Sequence, residues 1–341
     1  MNRMAVAGVL VGVLGGYIAS LIHLPLPWMI GSLLSVIAVR CSGIYLEELP
    51  HMRTVGQWLV ACGIGLHFTP EVWAQVVSHS WVILLGALAT VSLTTLGLAL
   101  LHKARFNPVT SFFASLPGGA SEMVNLAIKH KAEIDRVTAA HSMRMMLIVV
   151  SVPLAFTWGM KVEPQILIAA IDWKWLSIAL PSSALVALLW RKLGLPSPWM
   201  LGPILTCAVL SISFDLHVAL PSTLSHLGQL CLGAAFGCHF DRPFFRKAPK
   251  FLAIVVLYTV LAIAITTAIA FALSAISGIS PYVLILGMMP GGISEMSITA
   301  EALQLEVALV TALQVLRLFL VMFMAEPLFR LWMSYLTKEK Q

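Results

Sequence analysis

The sequence predicts an all-α polytopic membrane protein made of two inverted-topology repeats, with about ten transmembrane helices plus two re-entrant or broken helices. Three observations predict it: the composition, a set of duplicated motifs, and the placement of the positive charges. Of the 341 residues, 59% are hydrophobic and only 11% charged, and the mean hydropathy is +0.93. Such a chain has too little polar surface to face water on all sides, so its solvent is the lipid bilayer. The basic pI of about 9.2 follows from Lys and Arg in the loops and implies no nucleic-acid partner.

The heptad Pro117-Gly118-Gly119-Ala120-Ser121-Glu122-Met123 returns as Pro290-Gly291-Gly292-Ile293-Ser294-Glu295-Met296. Leu24-Pro25-Leu26-Pro27-Trp28-Met29-Ile30-Gly31 likewise matches Leu195-Pro196-Ser197-Pro198-Trp199-Met200-Leu201-Gly202. Gly56-Gln57, Gly65 and His67-Phe68 recur as Gly228-Gln229, Gly237 and His239-Phe240, and Val137-Thr138-Ala139 with Arg144 recurs as Val310-Thr311-Ala312 with Arg317. The offsets of 171, 172 and 173 residues make the chain two collinear copies of one unit. A first membrane repeat is assigned to 1–160, an external linker to 161–173 and a second membrane repeat to 174–341.

In order along the first copy, apolar stretches lie near 4–22, 28–41, 54–68, 80–101, 107–128 and 137–159. Those of the second copy lie near 174–190, 199–213, 224–240, 251–275, 280–299 and 307–333. The first stretch follows Arg3 but lacks a small-residue cleavage site before Leu24, so it reads as a membrane helix, not a removed signal. Six full crossings per copy would orient both copies alike, whereas the charges oppose them. Arg40, Arg53, Lys103 and Arg105 follow the second and fourth stretches of copy one, but Arg191, Lys192, Arg242, Arg246, Lys247 and Lys250 follow the first and third of copy two.

Parity is restored if each fifth stretch, broken at Pro-Gly-Gly, enters and leaves on one side. Both termini are then cytoplasmic in an inner-membrane, multi-pass protein, and only Lys161 and Lys174 face outward. The rival reading lets the broken helix cross fully and moves the odd element elsewhere. Inverted repeats with discontinuous helices are the usual build of secondary transporters, so the predicted fold points to transport.

The candidate substrate- or ion-binding residues are Pro117, Gly118, Gly119, Ser121, Glu122, Pro290, Gly291, Gly292, Ser294, Glu295, Arg144 and Arg317. Proline and paired glycines stop a helix inside the membrane, and the next helix begins there with free N–H groups and a partial positive charge. Ser121 and Ser294 are expected to cap those ends, with Glu122 and Glu295 in the first turns. If the two tips meet at the centre, they form a site for a small anion, or for a cation or proton held by the carboxylates. The plainer reading is that each Ser-Glu pair caps an interfacial helix. Arg144 and Arg317 lie deep in apolar stretches and need partners, for which Glu122 and Glu295 are expected, either as a structural ion pair or beside a substrate.

His67 and His239 read as interfacial residues, Trp28 and Trp199 as interfacial anchors, and Gln57 and Gln229 as helix-joining or cavity-lining groups. The five cysteines form no CxxC pair and read as packing residues. No metal, cofactor or catalytic residue is expected. The expected partners are a small-molecule or ion substrate and the lipid bilayer, and a homo-oligomer is compatible with the sequence.

The paired Leu-Pro-x-Pro-Trp-Met-x-Gly and Pro-Gly-Gly-x-Ser-Glu-Met blocks resemble those of the AbrB-type duplicated bacterial membrane proteins over essentially the whole chain. That family is distantly similar to the cation/proton antiporter and anion transporter superfamily, which implies the same fold. Its labels, ammonia monooxygenase and regulator of gene expression, imply different functions. A monooxygenase would need a copper or iron cluster, and the ten histidines show no such spacing. A DNA-binding regulator would need a soluble reading domain, and no loop is long enough. The expectation is therefore a permease for a small solute, a small anion in the first place, coupled to H⁺ or Na⁺ by alternating access. The alternative is a membrane-embedded ligand sensor that affects gene expression indirectly.

Overall fold

The computed structural model describes residues 3–159 and 171–339, in which every regular element is an α-helix. The first copy contributes α1 (Arg3–Leu21), α2 (Pro27–Cys41), α3 (Met52–Leu66), α4 (Pro70–Ser78), α5 (Ser80–Ser92), α6 (Thr94–Lys103), α7 (Pro108–Ser115), α8 (Ala120–Lys129) and α9 (Ile134–Gly159). The second contributes α10 (Trp173–Lys192), α11 (Pro198–Phe214), α12 (Ser222–Gly237), α13 (Arg242–Lys247), α14 (Pro249–Ser277), α15 (Pro281–Met288), α16 (Ile293–Ala302) and α17 (Val307–Glu339). The order repeats element by element, with α14 standing for α5 and α6 together. The short helices α4 and α13 lie between apolar stretches, where the hydropathy pattern carries no sign of them. Of the 161–173 linker only 171–173 is described; Lys161 and Lys340 lie outside the described residues.

Among the described residues, six spans are long and apolar enough to cross a bilayer: α1, α5 with α6, α9, α10, α14 and α17. The chain is thus built as a multi-pass membrane protein. α2 and α11 are apolar but hold 15 and 17 residues, about 22–26 Å of helix against a hydrocarbon core of about 30 Å. Proline opens many of these helices at N1, where its missing N–H costs nothing; Pro27, Pro198, Pro108 and Pro281 are examples. The repeat reaches the backbone too. Leu26 and Ser197, just before α2 and α11, both take the left-handed conformation, at φ 47° and 44°.

The helices form two compact units. Unit 1 comprises Met1–Ser78, Val149–Lys247 and Ser294–Leu309, and unit 2 comprises His79–Ile148, Ala248–Ile293 and Val310–Gln341. Each unit draws on both copies, so compactness divides the chain differently from the repeat.

Unit 1 packs α1, α2 and α3 with α10, α11 and α12. Small residues set the spacing, as is usual where lipid removes the hydrophobic drive between helices. A side chain at Gly31 of α2 would run into the Gly15 carbonyl of α1 and lie 2.6 Å from Ala19 Cβ. Cys62, Leu66, Leu176, Cys207 and Leu216 fill one core, and Cys62 Sγ lies 3.2 Å from the Ser183 hydroxyl. Unit 2 gathers Phe112, Phe113, Leu116, Met123, Val137, Val321 and Phe329 around its first broken helix.

Candidate functional site

The first broken helix is a hairpin within unit 2. Asn107 caps α7 by accepting from the Val109 and Thr110 amides. After eight residues the chain turns extended at Leu116 (ψ 129°), and Pro117 keeps the helix from resuming before Gly119. α8 then starts with Gly119 as its N-cap, and its ten residues run back. The two ends meet: the Glu133 amide donates to Thr110 Oγ1 at 3.0 Å, and the His130 ring stacks on Phe113 with centroids 5.5 Å apart. Entry and exit therefore lie side by side, with the break at the far end. At the entry-and-exit end, Lys129 pairs with Glu326 of α17.

A helix that stops inside a protein leaves its last carbonyls without partners and a partial negative charge at its end. In unit 2 buried side chains answer both needs. From α9, His141 Nε2–H donates to Phe113 O at 3.0 Å and Arg144 donates to Leu116 O at 3.3 Å. Arg144 Nη2 also donates to His141 Nδ1 at 2.9 Å, which fixes the neutral, Nε2-protonated tautomer. From α17, Gln314 donates to Leu286 O at 2.8 Å and Met289 O at 3.1 Å, while Arg317 donates to Met289 O and, at 2.7 Å, to Gly291 O.

His141 and Gln314, Arg144 and Arg317, Phe113 and Leu286, and Leu116 and Met289 each stand 173 residues apart. One clasp is thus built twice. The next carbonyls along are held by residues exchanged between copies. Tyr258 of α14 donates to Ser115 O at 2.9 Å, and Thr90 of α5 donates to Met288 O at 2.9 Å.

Gln314→Leu should leave the buried Leu286 carbonyl without its side-chain donor, while Met289 O keeps Arg317. The expected loss is roughly 1–3 kcal/mol of stability, the cost of one orphaned buried acceptor. Thermal melting of the purified protein in detergent checks this, and a variant melting like wild type would show that the clasp contributes nothing.

The structure alters the expected pairing. Within unit 2 the guanidinium groups meet main-chain carbonyls and, for Arg144, His141, where carboxylates were expected. The acceptors 28 residues upstream are the open end of the half-helix itself, which lies directly beside the arginine. Arg144 and Arg317 are 3% and 4% exposed, and each keeps a buried Nε without a hydrogen-bond partner.

Nor do the serines cap. Ser121 is the second residue of α8 and exposed, because the break falls earlier and Gly119 takes the N-cap. Ser294 instead donates to Glu295 Oε1 at 2.9 Å. Glu122 folds back onto Gly119, its carboxylate lying where a Cβ there would fall.

The two heptads are unequal in burial. Glu122 is half-buried, whereas Glu295 is 1% exposed with Oε2 unpartnered. Pro117 and Pro290 are buried, and Gly118, Gly291 and Gly292 half-buried. Ser294 and Glu295 belong to unit 1, as does Arg53, whose guanidinium lies over the Phe236 ring. The remaining candidates belong to unit 2.

The secondary candidates have quieter roles. His67 and His239 each bond through Nδ1 to the carbonyl four residues back, at 2.8 and 3.0 Å. Trp28 is half-buried and stacks on His226 with centroids 5.7 Å apart. Gln229 is buried and reaches Ser225 at 3.5 Å. Among the described residues one trio has metal-ligand chemistry, the exposed Glu71, Asp215 and His217. The Thr69 hydroxyl, bonded to Glu71, holds that carboxyl below its ordinary value.

Sequence reading missed His141, Gln314, Tyr258 and Thr90. His141 and Gln314 had a signal: a polar residue three positions before each arginine, at the same offset, though of different type.

The duplicated broken helix is matched by a family at the level of sequence. The sequence model described as "Transition state regulatory protein AbrB" matches residues 28–333, a range that holds both heptads and both arginines. The chain belongs to the AbrB family. The chain is also similar to "Uncharacterized protein YhjN" of Bacillus subtilis (strain 168), 26% identical across an alignment that covers 96% of this chain and 92% of the relative. "Putative regulator AbrB" of Escherichia coli (strain K12) is 26% identical over 330 residues, covering 95% of this chain and 94% of that one. Similarity therefore runs over more than nine-tenths of each chain.

Proposed function

We propose that this AbrB-family chain is a secondary transporter, a permease for a small solute in the bacterial inner membrane, coupled to H⁺ or Na⁺ by alternating access. The observation that carries the reading is the clasp built twice in unit 2. Broken helices are costly in a bilayer and are tolerated where their backbone is buried in protein or lines a cavity, the setting in which transporters place their binding sites. In this reading the repeats 1–160 and 174–341 are inverted, ten helices cross, α7–α8 and α15–α16 re-enter from opposite faces, and both termini are cytoplasmic. The coupling ion is held by Glu122 or Glu295, the latter offering an unpartnered carboxylate oxygen. No enzymatic reaction is assigned.

The test is flux in vesicles reconstituted with purified protein, over a panel of small organic anions and amines, with and without a proton or sodium gradient. Gradient-dependent accumulation of one solute supports the transporter. Saturable binding with no flux of any solute favours the second reading, a membrane-embedded sensor acting on expression indirectly, which the regulator name of the Escherichia coli relative supports.

The re-entrant arrangement makes its own prediction. Cysteines introduced singly in the 102–106 and 129–136 loops, in a background without native cysteines, should react with a membrane-impermeant thiol reagent from the cytoplasmic side only. The Thr110–Glu133 hydrogen bond, which joins the ends of the hairpin, motivates it. Labelling of the two loops from opposite faces would sink the re-entrant reading.

A further inference from the structure

We propose, resting on the reading of the clasp as a solute site, that the solute is a small oxyanion and that its principal donors are the buried guanidinium groups of Arg144 and Arg317. The sequence placed the arginines among the candidates, as partners of the glutamates or beside a substrate, and pointed first to the N-termini of α8 and α16 and their serines. Three observations in unit 2 carry the proposal. First, each guanidinium is satisfied by neutral acceptors only, carbonyl oxygens and the His141 ring, so the main chain supplies dipoles but no counter-charge. Second, both guanidinium groups are buried within this one unit, 3% and 4% exposed. Third, at the same position of both copies, a buried Nε–H has no acceptor.

Two like charges desolvated together are expensive unless an opposite charge joins them, because a buried ion without its partner pays the full desolvation cost. Carbonyl dipoles hold the arginines in place, and an anion with two or more acceptor oxygens would complete them. The planar guanidinium fork suits an oxyanion better than a monatomic ion. The protonation of the glutamates is then free to serve coupling.

The experiment is calorimetric titration of the full chain in lipid nanodiscs with sodium acetate, sodium malonate or sodium phosphate. Sodium concentration and ionic strength are held constant, and sodium chloride and methylammonium chloride serve as controls. At least one oxyanion is expected to bind saturably at one site, with chloride and methylammonium weaker. Arg144→Lys and Arg317→Lys keep the charge but lose the fork and Nε–H, so each should weaken that binding by about tenfold or more; Gly159→Ala, with open space around the new methyl, should leave it within about twofold. Folding of each variant is checked by size-exclusion chromatography. Should the lysine variants not fold, the wild-type titration decides alone.

Absence of saturable oxyanion binding to the wild type overturns the proposal, as does equal affinity in folded lysine variants. Oxyanion binding without flux would leave this site standing and remove the transporter. Gradient-driven flux of an amine without oxyanion binding would do the reverse.

Discussion

Glu295→Gln is expected to abolish gradient-driven flux while leaving the protein folded in the membrane. The side chain is 1% exposed, and Ser294 donates to Oε1 while Oε2 has no partner. Glutamine has nearly the same shape, and its amide oxygen accepts from Ser294 as the carboxylate does. The structural cost should be about 1 kcal/mol, the scale of one altered hydrogen bond. What glutamine lacks is the ability to take up a proton or to neutralise a cation, and an ionisable group at membrane depth is retained for such work.

Glu122→Gln should have the same effect on flux. It costs about 0.3–1 kcal/mol for the lost charge at the first turn of α8. The two carboxylates sit in unequal surroundings here, Glu122 half-buried and Glu295 buried. A protein whose copies exchange states uses both in turn, so losing either should stop the cycle. Flux in vesicles against melting temperature in detergent separates function from stability. Wild-type flux in both variants would reduce the carboxylates to first-turn charges and remove them from the site.

Much of the architecture was legible because the chain states it twice. Identical Pro-Gly-Gly-x-Ser-Glu-Met blocks located both broken helices, since proline and paired glycines leave the backbone little choice. Arg144 and Arg317 were equally visible, being rare residue types in apolar runs. Their partners were not, for a physical reason: a carbonyl oxygen belongs to every residue, so a clasp made on the main chain leaves no mark on the sequence of the segment it holds. The visible carboxylates drew the expectation instead.

His141 and Gln314 perform one task with different side chains, which hides them from a search for identity. Tyr258 and Thr90 are harder still, as they are exchanged between copies and occupy non-equivalent positions. The unequal burial of the two heptads lies beyond any reading of the sequence, because identical residues cannot announce different surroundings.

Gly31→Val is expected to be strongly destabilising to unit 1. The sequence marks Gly31 and Gly202 as the last residues of the paired Leu-Pro-x-Pro-Trp-Met-x-Gly blocks, and the structure supplies the reason. At Gly31 a Cβ would lie 2.6 Å from Ala19 Cβ and 2.8 Å from the Gly15 carbonyl carbon, and the Gly15 backbone has no flexible end to move aside. α1 and α2 would have to separate along their whole contact. At Gly202 of α11 the Cβ would lie 3.0 Å from Ala187 Cα of α10, a tight approach that a shift of a few tenths of an ångström relieves. Overpacking a close interface costs about 1–3 kcal/mol and sometimes more. Gly31→Val should therefore exceed about 3 kcal/mol and Gly202→Val fall below it. Gly159→Ala, with nothing within 4 Å of the new methyl, is the control and should stay within about 0.5 kcal/mol of wild type. Melting of the three variants in one detergent gives the ranking. If Gly31→Val melts with the control, α1 and α2 do not approach as closely as described, and the packing account of the paired blocks fails.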